Sequence, residues 1–393
     1  MKVCFETFGC RLNKAEALQM EADYLARGWE RTKSHADADL FVIRGCSVTA
    51  RAQSECEKLI AHLKHKHPLA QFRICGCLNS TSARPSRLLK PLEPLKPLKH
   101  LEPLPTRTAR AYLKVQDGCA GNCTFCIVPK FRGASKSEDY AELLDKARRF
   151  IDAGYHEIVV TGCNLSLYAS QGKRLPDLLT ALAGLDAGCR IRLGSIEPGS
   201  CALETVQAMA ESPNVCRFLH LTAQSGSERI LSAMRRPYSA HDIDRVAETA
   251  VKLMPRIGLG CDLMTGFPGE TEIDHTASKG LVTRLPFSNA HVFPFSKRPG
   301  TLAAAFHDSV SKGIRSARAH DLSKIVKTKR LAFAKTFIGQ TVEIIVEDGK
   351  TGRGWSGEYL PCEPLSGTPA RKSRVSLIIT KVEGDVLYGR PVK

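Results

Sequence analysis

Cys119, Cys123 and Cys126 stand in the segment DGCAGNCTFCIVPKFRG with the spacing C-x3-C-x2-C. Gly118, Gly121 and Asn122 allow the tight backbone that three converging thiolates need. Iron–sulfur clusters are normally held by four cysteines, so three thiolates can hold three irons of a cubane. The fourth iron is then open to a substrate or cofactor. Zinc competes for such a set, but a structural zinc site normally shows four ligands in local pairs. No fourth Cys or His lies nearby in the sequence.

A second set is spread over the first eighty residues. Cys10, Cys46 and Cys77 each follow an expected strand, and each stands beside a glycine: Gly9, Gly45 and Gly76. Parallel strands would bring the three to one edge of a sheet, where three thiolates again make a metal site. Three buried thiols are the competing reading, since cysteine is among the most buried residue types. Cys75 rivals Cys77 at the third strand exit. Cys4, Cys163, Cys189, Cys201, Cys216, Cys261 and Cys362 lack partner spacing and read as small core residues, and Cys56 falls on a basic helix. The total of fifteen cysteines is odd, and the N-terminus MKVCFETFGCRLNKAE lacks the apolar stretch of a secretion signal. Both features argue against a disulfide framework and for a cytosolic protein.

The elements that must position these thiols alternate between strand and helix. In the N-terminal part, Lys2–Phe8, Asp39–Arg44 and Gln71–Ile74 read as strands. Asn13 is placed to cap the first helix, with Glu16 as its reciprocal partner and Gly28 as its stop. A basic helix is expected from Ala50 to His67. Residues 84–105 hold six prolines in a Pro-Leu-Lys/Glu repeat, which denies helix and sheet bonding and reads as an extended linker. Alternation resumes with strands at Tyr112–Gln116, Glu157–Thr161, Arg190–Ser195, Phe218–Leu221, Gly258–Met264 and Ala290–Phe293. Six βα units fall short of a full eight-stranded barrel and fit a partial one. The Cys119 loop follows the first of these strands, at the end where βα folds collect ligands. A basic helix spans Lys312 to Phe337. Val342–Val346, Trp355–Tyr359, Val375–Ile379 and Val386–Tyr388 then suit a small β-barrel.

Composition narrows the partners. Lys and Arg number 57 against 40 Asp and Glu, a formal charge of +17, which attracts polyanions such as nucleic acid. Phosphate contacts would fall first to the Lys312–Lys335 stretch and the C-terminal barrel. The solvated face of a helix explains that charge equally well. No run of about 18 apolar residues exists to span a membrane.

At this point the sequence resembles the radical S-adenosylmethionine methylthiotransferase family. The C-x3-C-x2-C loop, QDGCAGNCTFCIVPKFRG, is similar to the family's central motif. FGCRLNKAE, RGCSVTARA and CGCLNS resemble its three N-terminal cysteine motifs. SIEP (195–198), HLTAQSGSERIL (220–231), MTGFPGET (264–271) and HVFPFSKRPGT (291–301) are also similar, and the C-terminal segment resembles an RNA-binding TRAM domain. LNS after Cys77, and the short proline-rich segment after it, depart from the family pattern.

The resemblance implies an α/β architecture: an N-terminal parallel βα domain (1–83), a Pro-rich linker (84–107), a central partial (β/α)6 barrel of radical SAM type (108–337) and a small TRAM-like β-barrel (338–393). It implies two [4Fe-4S] clusters, one on Cys119, Cys123 and Cys126 that binds S-adenosylmethionine, and one on Cys10, Cys46 and Cys77 that presents sulfur. A radical from the first would remove hydrogen from C2 of an adenine. The sulfur would replace it, and a second S-adenosylmethionine would supply the methyl group. Cofactor contacts fall to Phe125, on the adenine or in the core; to Gly162, whose backbone meets the methionine amino group; to Ser195 and Glu197, on ribose or ammonium; and to Gln224 and Asp262, at later strand exits.

GCRLNKAE and FPFSKRPGT are most like the branch acting on N6-threonylcarbamoyladenosine beside the tRNA anticodon. The partners implied are a tRNA anticodon stem-loop and an electron-donor protein. A cytoplasmic monomer, with no membrane partner, is expected. The alternatives are isopentenyladenosine in tRNA, an aspartate of a ribosomal protein, or a non-catalytic zinc-stabilised RNA-binding protein.

Overall fold

Strand Leu40–Gly45 is buried along its whole length, as its apolar run LFVI demands. In the computed structural model, which describes residues 1–78, 108–307 and 309–392, it lies in a four-stranded parallel sheet. The order is Glu30–Arg31, Lys2–Thr7, Leu40–Gly45, Gln71–Gly76. Successive side chains of a strand face opposite ways. Phe41 and Ile43 therefore pack on Ile60 and Leu63 of helix Ala50–Lys66, while Leu40 and Val42 pack with Tyr24 of helix Arg11–Ala26. The proline-rich segment 84–107, expected to be an extended linker, lies outside the described residues, as does the boundary at residue 83.

The expected Asn13 cap is not formed. The first helix begins at Arg11 with Cys10 as its N-cap, which leaves Asn13 inside the first turn. Its amide instead donates to the carbonyls of Phe8, at 2.8 Å, and Gly45, at 2.9 Å. Buried carbonyls need donors, and these two loop exits claim Asn13. Glu16 is likewise drawn away from any capping role, to Arg44, Lys114 and Arg132. The stop at Gly28 holds, with φ +82°.

Six parallel strands make the central barrel. Ala111–Lys114, Glu157–Thr161 and Arg190–Leu193 form one sheet, and Phe218–Gln224, Gly258–Thr265 and Phe287–Pro294 form another. The bridges Ile191–Val215 and Ile196–Leu221 join them. Ile158, Val160, Ile191, Leu193, Leu219 and Leu221 belong to one apolar core with the surrounding helices. The alternate positions include polar and charged residues, so the barrel interior carries Glu157, Arg192, His220 and Asp262 beside apolar Val159 and Phe218.

Helix Lys312–Lys335 leads into a closed five-stranded barrel. The expected strand Trp355–Tyr359 shortens to Gly354–Ser356, and Pro361–Pro364 is an additional strand. Tyr359 leaves the strand with φ +66°, a rare conformation for a bulky residue. Its ring stacks between Trp355, at 4.7 Å, and Phe218 of the central barrel, at 4.8 Å. The Arg11 guanidinium, next to Cys10, lies 5.2 Å from the same ring. One tyrosine thus touches all three units.

Beneath the central barrel sits a buried charge network. Glu157 is fully buried and pairs with Arg192 (2.7 Å), Arg190 and Arg110 (3.5 Å). The arginines continue to carbonyls of the C-terminal barrel: Arg190 to Glu343 (2.8 Å) and Trp355 (3.0 Å), Arg192 to Ser356 (2.8 Å). Burial by itself would raise the Glu157 carboxyl, but Arg192, Arg190 and Arg110 overcome it and hold it well below the usual carboxylate range. Removing one partner of a buried ionic network typically costs about 3–5 kcal/mol. Glu157→Gln is therefore expected to lower unfolding stability by about that much at pH 7, read from urea denaturation. A depressed carboxylate stabilises fully above its unfolded-state value, about 4.3, and loses that effect as the pH falls toward the folded value. The gap between the two proteins should narrow below about pH 4. Equal urea midpoints at pH 7 would contradict this account.

Candidate active site

All four N-terminal strands run in one direction, so their carboxyl ends share an edge. Cys10, Cys46 and Cys77 lie on that edge. Gly9 has φ +89°, and a Cβ there would stand 2.9 Å from the Cys46 sulfur. Gly76 also has φ +89°, and a Cβ would meet the Gly45 carbonyl at 2.7 Å. Glycine is thus required at both exits. The loops are laced together by Asn13, by the Cys77 N–H donating to Gly45 O at 3.0 Å, and by the Ser47 hydroxyl donating to the Cys77 carbonyl. Burial pushes the Cys46 and Cys77 thiols up. Cys10 raises both further, while Arg132 opposes the shift. Cys10 is exposed and the other two are buried, so the trio opens on one side.

Cys75 points elsewhere. It lies within strand Gln71–Gly76, and its sulfur is 3.7 Å from Ile43 O and 3.9 Å from Met20 Sδ. It packs with the cluster of Val3, Tyr24 and Val42. The strand ends at Gly76, whose left-handed backbone (φ +89°) turns the chain, so Cys77 leaves the face it would otherwise share with Cys75 and joins Cys10 and Cys46.

The second trio sits on the loop after strand Ala111–Lys114. Gly118 has φ +64°, and a Cβ there would collide with Ala134 O at 2.0 Å. Gln116 is buried and donates to Asp117 O, Gly118 O and Ser135 Oγ at 2.7–2.9 Å, which stitches the loop to its return segment. The Gly121 N–H donates to Cys119 Sγ at 3.2 Å, and a Cβ at Gly121 would stand 3.1 Å from that sulfur. Burial raises the Cys123 thiol, against the opposing charge of Arg236, and pushes Cys126 up to about 12. Cys123 and Cys126 each also feel Cys119.

One guanidinium addresses each trio. Arg132 Nε donates to Cys77 Sγ at 3.1 Å, and Arg236 Nη1 donates to Cys123 Sγ at 3.0 Å. These cationic donors, together with the glycine cradles, suit sulfur that carries negative charge. The residues present therefore fit a cluster at each trio.

The expected cofactor contacts divide. Glu197 is bound by Arg236 at 2.6 Å, and its N–H donates to Ser166 Oγ, so it adjoins the Cys123 side of the loop. Ser195 is exposed beside it. Gly162 approaches the Gln116 carbonyl so closely that a Cβ would sit 3.0 Å from it. Phe125 is half-buried in a cluster with Met234, Met264 and Phe295, which is core packing. Gln224 has φ +64° and is buried, and its Oε1 has no hydrogen-bond partner. A buried unpaired acceptor costs about 1–3 kcal/mol, and a bulky residue in that conformation is strained. Together they point to a ligand donor.

Asp262 is not at a strand exit. Strand Gly258–Thr265 continues past it, and its carboxylate is held inside the barrel by His220 and His291, each at 3.0 Å. Burial would raise this carboxyl, but the two histidines hold it well below the usual range. Arg132, Arg236 and Asn13 were not anticipated as site residues. The first two lie in PKFRG and MRRPYS, and a buried arginine is almost always paired.

Residues 113–278 match the radical SAM superfamily, and residues 2–93 match an uncharacterized protein family, UPF0004. The chain is 29% identical to threonylcarbamoyladenosine tRNA methylthiotransferase MtaB of Bacillus subtilis, covering 88% of this chain and 85% of that one. It is 31% identical to tRNA-2-methylthio-N(6)-dimethylallyladenosine synthase of Mycobacterium ulcerans, over 88% of this chain and 73% of that one. Among solved structures, the radical S-adenosylmethionine methyltransferase TsrM of Kitasatospora setae shares the fold at 13% identity, with a TM-score of 0.55 over 77% of this chain and 76% of that one. These relatives and the fold place the protein among radical SAM enzymes. Within them, the chain belongs to the methylthiotransferase family.

The two sulfurs at the third exit give a direct test. The reconstituted full chain is expected to hold about eight irons, as two cubanes require. Cys75→Ala should keep them, and Cys77→Ala should fall to about four, measured by iron and sulfide assay. The reverse pattern would assign the third position to Cys75.

Proposed function

We propose that this enzyme converts N6-threonylcarbamoyladenosine next to the tRNA anticodon to its 2-methylthio derivative. Cys119, Cys123 and Cys126 hold one [4Fe-4S] cluster and S-adenosylmethionine, and Cys10, Cys46 and Cys77 hold the other. The observation that carries the reading is the pair of thiol trios on separate units, tied across one seam. The domains are residues 1–83, 108–337 and 338–393, with 84–107 as the connection.

When bound, the clusters and S-adenosylmethionine would supply the radical that takes up an inert ring hydrogen and the sulfur that fills its place. The chain's own residues hold the two sources in register. Lys114 pairs with Glu16 at 2.8 Å and Arg132 pairs with it at 3.1 Å. On the far side, the Ala50 N–H donates to Ser296 Oγ at 3.1 Å, and Arg298 donates to Gln53. Gln224 Oε1 offers an acceptor to the cofactor's ammonium or ribose. Gly162 and Glu197 line the same mouth, with Ser195 beside Glu197 and Phe125 behind the loop.

The target base must leave its stack to reach a buried site, and an anticodon loop presents such bases. Part of the basic helix is occupied internally. Arg318 pairs with Glu270, Arg330 pairs with Asp385, and Lys329 caps the carbonyls of Val282 and Thr283. Exposed Lys312, Lys324, Lys327 and Lys335 are left for phosphates. Among the described residues no helix is long and apolar enough to cross a membrane. The reading places the enzyme in the cytoplasm, with an electron-donor protein as a second partner.

The substrate rests on the FPFSKRPGT and GCRLNKAE motifs and on the likeness to the Bacillus subtilis relative. Dimethylallyladenosine is the second reading, and the Mycobacterium ulcerans relative favours it. Nucleoside mass spectrometry of tRNA from a strain lacking this chain decides between them. The 2-methylthio form of threonylcarbamoyladenosine is expected to vanish and to return on complementation. Its persistence, with loss of the dimethylallyl derivative, would overturn the substrate.

A further inference from the structure

Arg132 spends every donor it has. A guanidinium offers five N–H groups. Nε goes to Cys77 Sγ at 3.1 Å, Nη1 to Glu16 Oε1 at 3.2 Å and Asp117 Oδ1 at 3.0 Å, and Nη2 to Asn13 Oδ1 at 2.7 Å and Glu16 Oε2 at 3.1 Å. Its side chain is only 6% exposed. Three of these contacts, two to Glu16 and one to Asn13, explain a seam between two units, and a fourth, to Asp117, lies within the central unit. The fifth, to Cys77, is needed for neither, because a neutral thiol is a weak acceptor and the carboxylates alone would anchor the guanidinium. An N–H donor aimed at a sulfur is what a cluster thiolate uses.

The arginine also comes from the wrong unit for a purely local role. It ends helix Val128–Arg132, six residues after Cys126, while Cys77 belongs to the N-terminal sheet. Hydrogen bonds to cluster sulfurs set the reduction potential, and a nearby positive charge favours the more negative, reduced cluster. Arg236 makes the matching contact to Cys123 from within the central barrel.

We propose that Arg132 is a positioning residue that poises the N-terminal cluster for electron uptake only when that unit is docked on the central barrel. This rests on the reading that Cys10, Cys46 and Cys77 hold a cluster. A free N-terminal unit would keep its three thiols but lack the cationic donor. Docking therefore raises the potential of the cluster it brings to the seam. Asn13 extends the link, since the same side chain accepts from Arg132 and donates to the carbonyl preceding Cys46.

The test uses the full chain with Cys119, Cys123 and Cys126 replaced by Ala, so that only the N-terminal cluster remains, and dye-mediated redox titration followed by EPR. At the midpoint of this parent, Arg132→Gln is expected to lower the reduced-to-oxidised ratio about tenfold, a downward shift of ~59 mV for a one-electron couple. Arg132→Lys keeps the charge but loses the fork, and should fall between. Arg31→Met breaks an ion pair within the N-terminal unit, to Glu21 at 2.6 Å, away from the seam and the sulfur, and should change the ratio less than twofold. If Arg132→Gln does not load a cluster, Arg132→Lys carries the comparison. An unchanged midpoint in the Arg132 variants, or an equal shift in Arg31→Met, would overturn the proposal. A parent that binds no cluster would instead refute the two-cluster reading itself.

Discussion

Two sets of thiols on separate units serve one reaction only if the units are locked at a fixed separation. The lock is a knot of buried charge: Glu16 among Arg44, Lys114 and Arg132, with Asp117 beside it. Burial would raise both carboxyls, yet the surrounding cations hold Glu16 and Asp117 below their usual range. Such knots add little stability when complete and cost much when broken. What this one provides is geometry. Glu16 stands on the helix that Cys10 caps, and Asp117 stands two residues before Cys119. A rotation that parted the trios would leave several charges buried and unpaired.

Parallel strands make the rest of the arrangement economical. In the N-terminal sheet they deliver three exits to one edge. In the barrel they place the Cys119 loop, Gly162, Glu197 and Gln224 at one mouth. The opposite end is closed by Glu157 with its arginines and by the Tyr359 ring, which also meets Arg11 beside Cys10. The C-terminal barrel therefore contacts both the floor of the central barrel and, through Arg11, the start of the first helix. Substrate bound on that barrel would rest on a scaffold continuous with both trios.

The cysteines were legible in the sequence because their signals are local. The 119–126 spacing needs only a loop, and Gly9 and Gly76 mark exits whose left-handed φ no bulky residue adopts easily. Six barrel strands were legible from alternation. The choice between Cys75 and Cys77 was not, because residues two apart on a strand share a face, and only the left-handed turn at Gly76 that ends the strand sends them apart. Asn13 has the composition of a cap, but two carbonyls from distant loops outbid the helix end, and only tertiary structure shows them. Arg132 and Arg236 carry no sequence mark beyond lying near the motifs. Asp262 was misplaced because it lies within the expected strand rather than at its exit, and its partners His220 and His291 come from two other strands that only tertiary structure brings beside it.

The central claim is that two clusters face each other across one seam. EPR of the fully reduced holoenzyme measures this, through the magnetic interaction between neighbouring paramagnetic centres. The expected spectrum is broadened beyond the sum of the two single-cluster proteins, made by replacing either trio with alanine. A spectrum equal to that sum, with both clusters fully loaded and reduced, would contradict it.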